Sequence, residues 1–163
     1  MLNVAIIGYG QSGKDIHGAY FLSQRNTFYR VKYVVETDKD RREEAKKTYE
    51  GCEVFEDYRA LFDLNDVDLV VNASYSGLHY CTTKNLLAHK KNVLLEKPFA
   101  KDQEECDDLI QTAKENGVLL AVFHNTQLAP YYQFAQKIIK EDTLGKIEQV
   151  SLRFNFFSRR SGW

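Results

Sequence analysis

The segment NVAIIGYGQSG, residues 3–13, constrains this chain more than any other stretch. Four apolar residues run into Gly8, Gly10 and Gly13, which have the spacing GxGxxG. Each glycine meets a separate demand. The first permits a tight strand-to-helix turn, the second lets a pyrophosphate approach the backbone, and the third lets the helix pack closely on the strand. The N–H groups that open the following helix then face the phosphates, with Gln11 and Ser12 in the loop. Alone, the spacing also fits a purely structural turn, so its surroundings have to decide.

Short apolar runs recur at 3–8, 31–36, 67–74, 92–97 and 117–123, with a weaker sixth at 52–55. Each is rich in Val, Ile or Leu and short for a helix. Runs that are apolar on both faces are what a covered parallel sheet requires. Between them lie helical stretches at 38–49 and 102–116. The second opens on a capping box in which Asp102 caps and Glu105 reaches back. Cys106, Leu109, Ile110 and Ala113 then share one face, and Gly117 stops the helix. Strands alternating with helices give an α/β fold: a doubly wound parallel sheet of the Rossmann dinucleotide-binding kind.

A second strand end strengthens this reading. Glu36 closes the run 31–36, 23 residues beyond Gly13, where an acid suits the ribose hydroxyls of a dinucleotide. A carboxylate there repels a 2′-phosphate, so NAD is favoured, with NADP possible because Arg41 and Arg42 follow closely. A solvated helix face is the plainer role for both arginines.

The pattern changes near residue 124. Residues 1–124 form the expected Rossmann domain, and 125–163 the start of a second, truncated α/β domain. A helix over 128–142 has Pro130 in its first turn. Residues 147–157 then place Val150, Leu152, Phe154 and Phe156 on one face of a half-buried strand. That strand is the expected route to a homo-oligomer, because an unpaired edge invites pairing.

Bulk properties exclude several classes. The formal charge of the 163 residues is −1, so no non-specific grip on nucleic acid or acidic membrane is expected. No run approaches the ~18 apolar residues of a membrane span. Cys52, Cys81 and Cys106 form no disulfide framework, which fits a cytoplasmic setting. No histidine and carboxylate group has metal-ligand spacing.

In order and spacing, these segments resemble the glucose–fructose oxidoreductase and inositol dehydrogenase family (Gfo/Idh/MocA). VAIIGYGQSGKDIH is similar to its dinucleotide loop, and VVETDKDR to the end of its second strand. The stretch from Val67 to Ala100, which contains LLEKPFA, resembles its most recognisable segment, and LGKIEQVSLRF its crossing into a second domain. The resemblance implies an NAD(P)-dependent oxidoreductase that moves hydride to or from a hydroxyl or carbonyl carbon of a sugar, polyol or related compound. It implies that Lys97, in the EKP element, is the catalytic residue. Two departures stand out. NTQ at 125–127 replaces the family's usual NRR, and SYSGLH at 74–79 replaces its TPNxxH.

A strand ending at Glu96–Lys97 places both side chains where parallel sheets bind ligands. Hydride transfer from an alcohol needs a base for the hydroxyl proton, or an acid in reverse. Proton release from an amine near neutrality calls for partial burial or a positive neighbour. Glu96 is assigned to positioning Lys97 or holding the nicotinamide ribose. Ser74, His79 and Asn125 complete the expected cofactor contacts, although His79 also suits a role in helix packing. His17 is expected to be structural, His89 to lie at the surface, and His124 to end the sixth strand facing the site. Two other readings stay open: a non-catalytic dinucleotide-binding or sensing module, and an NAD-dependent glycosidase working through transient oxidation.

Overall fold

The fold was analysed in a computed structural model, which describes residues 1–153 and Asn155. Six strands form one sheet: β1 (Leu2–Ile7), β2 (Tyr29–Val35), β3 (Glu53–Phe55), β4 (Leu69–Asn72), β5 (Val93–Leu95) and β6 (Leu120–Val122). All pairings are parallel, and the spatial order is β3-β2-β1-β4-β5-β6. The six expected runs are thus the six strands. The register of β1 on β2 shifts between Val4 and Ala5, an irregularity within the central pair.

The apolar runs are needed because both faces of the sheet are covered. Along β1, Val4 and Ile6 join one core, with Val31, Val34, Val71, Ala45 and Tyr49. Ala5 and Ile7 join the other, with Val70, Val93, Leu95, Leu86, Leu87 and Leu109. The alternation follows from side chains pointing to opposite faces at successive strand positions.

The helices behave locally as their ends dictate. The helix after the glycine loop begins as a wide π-type segment, Gln11–Gly18, and continues as α1 (Ala19–Leu22). Helix α2 (Lys39–Thr48) is capped by Asp38, whose carboxylate accepts from the Arg41 N–H at 3.0 Å. Helix α3 (His79–Ala88) buries His79, Thr82, Thr83, Leu86 and Leu87, and has no counterpart among the helical stretches expected from sequence. Helix α4 (Gln103–Asn116) opens on Asp102, which accepts from the Glu105 N–H at 3.0 Å. Glu105 reaches back to the Lys101 N–H, one residue before the cap. Gly117 ends α4 at φ +66°. Leu109 and Ala113 are buried, but Ile110 is 41 % exposed, so the apolar stripe of α4 is narrower than its spacing suggests.

Met1–His124 forms one compact unit, and a second begins at Asn125. The second contains α5 (Pro130–Lys140), with Pro130 in its first turn. Residues 147–153 are not in a strand; a strand exists only through a ladder partner, and no described residue supplies one. Phe154 and Phe156, on which the expected pairing face depends, lie outside the described residues. Among the described residues, no helix is long and apolar enough to cross a membrane.

Candidate functional site: the carboxyl edge of the sheet

Strand order reverses at β1, which lies between β2 and β4. A crevice outside the carboxyl ends of the strands at such a point is where ligands bind in open α/β sheets. Going across this edge, the chain presents Glu36 after β2, Gly8–Gly10 after β1, Ser74 after β4, and Glu96–Lys97 after β5. From the end of β2 to the end of β5 is three inter-strand spacings, roughly 14–15 Å at ~4.8 Å each. A dinucleotide laid across the edge would meet an acid at one end and an amine at the other.

The three glycines are needed for different reasons. Gly8 has φ +84°, and a Cβ there would stand 2.5 Å from the Ala73 carbonyl oxygen. A Cβ on Gly13 would stand 1.8 Å from the Gly8 carbonyl oxygen. Both glycines are therefore required by the fold. Gly10 differs. Its φ of −91° suits any residue, and a Cβ there would meet only the Arg41 guanidinium, at 3.5 Å. The open side of Gly10 is the approach a pyrophosphate needs, beside N–H groups at the start of the Gln11–Gly18 segment that have no intrahelical partner. Gln11 is exposed there and Ser12 half-buried. The loop fits a dinucleotide on this ground. Sequence reasoning missed a fourth position, Gly18, where a Cβ would stand 2.6 Å from the Tyr49 hydroxyl and 3.0 Å from the Gly13 carbonyl.

Glu36 is buried and turned onto the loop. Its Oε2 accepts from the Tyr9 N–H at 2.7 Å. Its Oε1 accepts from the Asp38 N–H at 3.0 Å and from the Thr37 hydroxyl at 3.2 Å. Three of roughly four acceptor positions are thus engaged by the protein. The Arg41 guanidinium lies 3.9 Å from Oε2. Arg42 instead donates to the Glu36 and Thr37 carbonyls, at 2.6 and 2.7 Å. Of the two arginines, Arg41 is the one placed beside the Glu36 carboxylate.

Ser74 is half-buried, and its hydroxyl donates to Asn72 Oδ1 at 2.7 Å. Asn72 is fully buried and donates in turn to the Thr83 hydroxyl at 3.0 Å. His79 is 1 % exposed. Its Nδ1 lies 2.8 Å from the Pro98 carbonyl and its Nε2 3.0 Å from the Ser74 carbonyl. With both nitrogens turned to the backbone, His79 offers nothing to a ribose; it ties the turn after β4 to the turn after β5.

Lys97 is exposed, and it makes no ion pair among the described residues. Its peptide bond to Pro98 is cis. Glu96 is buried and divides its carboxylate: Oε1 lies 3.0 Å from His17 Nε2, and Oε2 accepts from the Lys97 N–H at 3.1 Å. It holds Lys97, with two of its roughly four acceptor positions engaged by the protein. Burial depresses the His17 pKa below its ordinary 6.5, against an opposing pull from Glu96. His89 lies flat against Phe62, with ring centroids 3.7 Å apart. His124 is exposed, and Asn125 opens the second unit. Among the described residues no His, Cys, Asp and Glu cluster could hold a metal ion.

The chain is similar to known proteins. A scyllo-inositol 2-dehydrogenase (NADP(+)), IolW of Bacillus subtilis, is 31 % identical over 154 residues, covering 94 % of this chain and 42 % of its own length. A 2,7-anhydro-N-acetylneuraminate hydratase of Escherichia coli is 28 % identical over 163 residues, covering 100 % of this chain and 41 % of its own. The solved structure of KijD10, a 3-ketoreductase from Actinomadura kijaniata in complex with NADP, superposes with a TM-score of 0.78 at 25 % identity, over 89 % of this chain and 45 % of that one. The chain thus spans less than half the length of these relatives. The model of the oxidoreductase family with the NAD-binding Rossmann fold (GFO_IDH_MocA) matches residues 2–124. The chain belongs to that oxidoreductase family and carries its NAD-binding Rossmann fold.

Proposed function

We propose that this chain is the dinucleotide-binding part of an oxidoreductase that moves hydride between NAD or NADP and a hydroxyl or carbonyl carbon of a sugar-like or polyol-like compound. The observation that carries the reading is the row of groups along the carboxyl edge: Glu36 after β2, the open face of Gly10 after β1, and Lys97 after β5, with the end of β4 between the last two. The dehydrogenase and ketoreductase relatives support the substrate class.

The nicotinamide, when bound, accepts or returns the hydride. The chain's own residues do the rest. N–H groups at the start of the Gln11–Gly18 segment would hold the phosphates, and Glu36 would use its remaining acceptor position on a ribose hydroxyl. Lys97, as the free amine, would take the hydroxyl proton as the carbon loses hydride. As the ammonium it would return that proton in the opposite direction. Residues 125–163 are assigned to the start of a substrate and oligomerisation domain.

The hydratase relative favours a second reading, in which the same edge serves a reaction with no net change of redox state. Both readings require dinucleotide binding, so titration calorimetry with NAD and NADP tests the common part; no heat from either would reject both. Turnover by the complete reading frame separates them. Accumulation of reduced cofactor identifies a dehydrogenase, and product without it identifies the second reading.

A further inference from the structure

Two buried side chains stand behind Lys97. Glu96 is 4 % exposed and His17 5 % exposed. They come from distant segments: His17 from the Gln11–Gly18 helix and Glu96 from the end of β5, 79 residues apart. His17 Nε2 lies 3.0 Å from Glu96 Oε1, and Glu96 Oε2 accepts the Lys97 N–H at 3.1 Å. Phe123 covers the imidazole from the other side, with ring centroids 4.5 Å apart. The carboxylate gives one oxygen to the histidine and one to the backbone of Lys97.

Chemistry fixes the direction of the first bond. A carboxylate only accepts, so Nε2 carries the proton. Burial favours the neutral ring, so that proton is its only one. Without this donor, Glu96 would be a buried charge holding a single N–H. Such a group protonates or turns toward water, and either change weakens its hold on Lys97.

We infer that His17 is a positioning residue for Lys97: it fixes Glu96 in the orientation whose second oxygen sets the backbone at Lys97. The inference rests on the reading of Lys97 as the acid–base group of the site. It makes the helix that meets the phosphates and the strand end that carries the amine one hydrogen-bonded unit.

The test compares the wild-type chain with His17→Gln and His17→Asn. A glutamine amide nitrogen comes close to the place of Nε2, whereas asparagine stops near Nδ1. Hydrogen exchange of the Lys97 amide is read by NMR. His17→Gln should retain protection, and His17→Asn should exchange roughly 10-fold faster at Lys97, the scale of one hydrogen bond, while Ile6 and Leu95 in the sheet stay within about 3-fold. Equal Lys97 exchange in all three proteins would overturn the inference. If His17→Asn does not fold, the ¹⁵N spectrum of the wild-type imidazole decides: a proton on Nε2 with bare Nδ1 supports the inference, and a proton on Nδ1 overturns it. Titration of the same proteins with NAD is read separately. Absence of binding in all three rejects the dinucleotide reading and leaves the Lys97 comparison intact.

Discussion

The Tyr9 N–H donates to Glu36 Oε2 at 2.7 Å, and this bond turns the acid at the end of β2 inward onto the glycine loop. Glu36 therefore shapes the loop, and in the proposed function it would also meet a ribose. Removing its side chain would leave the Tyr9 N–H buried without a partner, at a cost of ~1–3 kcal/mol. Losses of binding after Glu36→Ala would mix the two effects.

Glu36→Gln separates them, because one amide oxygen can still accept from Tyr9. With the negative charge gone, a 2′-phosphate is no longer repelled and Arg41 is left beside it. Calorimetry should show NADP affinity rising relative to NAD. Arg41→Ala should lower NADP affinity by about 5-fold, the scale of a half-exposed charge pair at ~1 kcal/mol, with NAD little changed. An equal loss for both cofactors would show that Arg41 does not face the ribose end.

The glycine positions predict opposite outcomes. Gly10→Val puts its side chain on the open face, so stability should move by no more than ~0.5 kcal/mol, as at ordinary surface sites, while NAD binding is lost. Gly13→Ala forces a Cβ to within 1.8 Å of the Gly8 carbonyl. The backbone there must shift, and overpacking of this kind costs ~1–3 kcal/mol or more. Urea denaturation and NAD titration of both variants check this. A Gly10→Val protein that binds NAD normally would show that the phosphates lie elsewhere.

Burial of His17 predicts a pH dependence. Its folded pKa is lowered from 6.5 by desolvation, so below about pH 6.5 the unfolded state takes a proton that the folded state refuses. The unfolded state then binds more protons, and stability falls as pH drops. The loss begins near the unfolded value and levels off below the depressed folded one. Asp38, Asp57, Asp66 and Asp108, all lowered from 3.8, lose their contribution only at more acid pH. Denaturation midpoints of wild type and His17→Gln, measured at about pH 7.5 and about pH 5, should therefore converge or cross on acidification. A constant gap between the two proteins would contradict a neutral buried ring.

Much of the sheet was legible because its signals are local. The glycine spacing and six apolar runs report on neighbours a few residues away, and β1 to β6 follow them. The helix α3 was not legible, because its buried face mixes Thr82 and Thr83 with Leu86 and Leu87 and so lacks a clean apolar period. Side-chain duties were least legible. His79 meets the Pro98 carbonyl 19 residues away, and His17 meets Glu96 79 residues away. Gly18 needs its bare Cα because of Tyr49, which comes from the end of another helix. Such pairings are set by how the strands stack, and no local pattern carries them.

His79 is predicted to stabilise the fold rather than to bind cofactor. It joins the turns after β4 and β5 through two backbone carbonyls while almost wholly buried. His79→Leu should keep much of the packing volume but lose the polar tie to the Ser74 and Pro98 carbonyls. A destabilisation of ~1–3 kcal/mol is expected. NAD affinity of the folded fraction should change by less than about 3-fold, well under one hydrogen bond. A large loss of NAD affinity with unchanged stability would instead return His79 to the ribose.

Lys97 sets what this chain can do alone. Its amine is exposed and makes no ion pair among the described residues, so its backbone is held while its amine is not. A base that is not held against the hydroxyl, and a hydroxyl not held against the nicotinamide, forgo positioning that is worth several orders of magnitude in rate. The 163-residue chain should therefore bind dinucleotide yet produce no steady flow of reduced cofactor from inositols or other polyols. Lys97→Ala should leave stability nearly unchanged in this chain, because the side chain is exposed and makes no ion pair among the described residues. In the complete reading frame the same substitution should abolish turnover while cofactor affinity persists. Following cofactor reduction with a panel of polyols, in the chain and in the complete protein, checks both halves. Steady turnover by the chain would show that it already holds its substrate, and full activity of the complete Lys97→Ala protein would remove Lys97 from the chemistry.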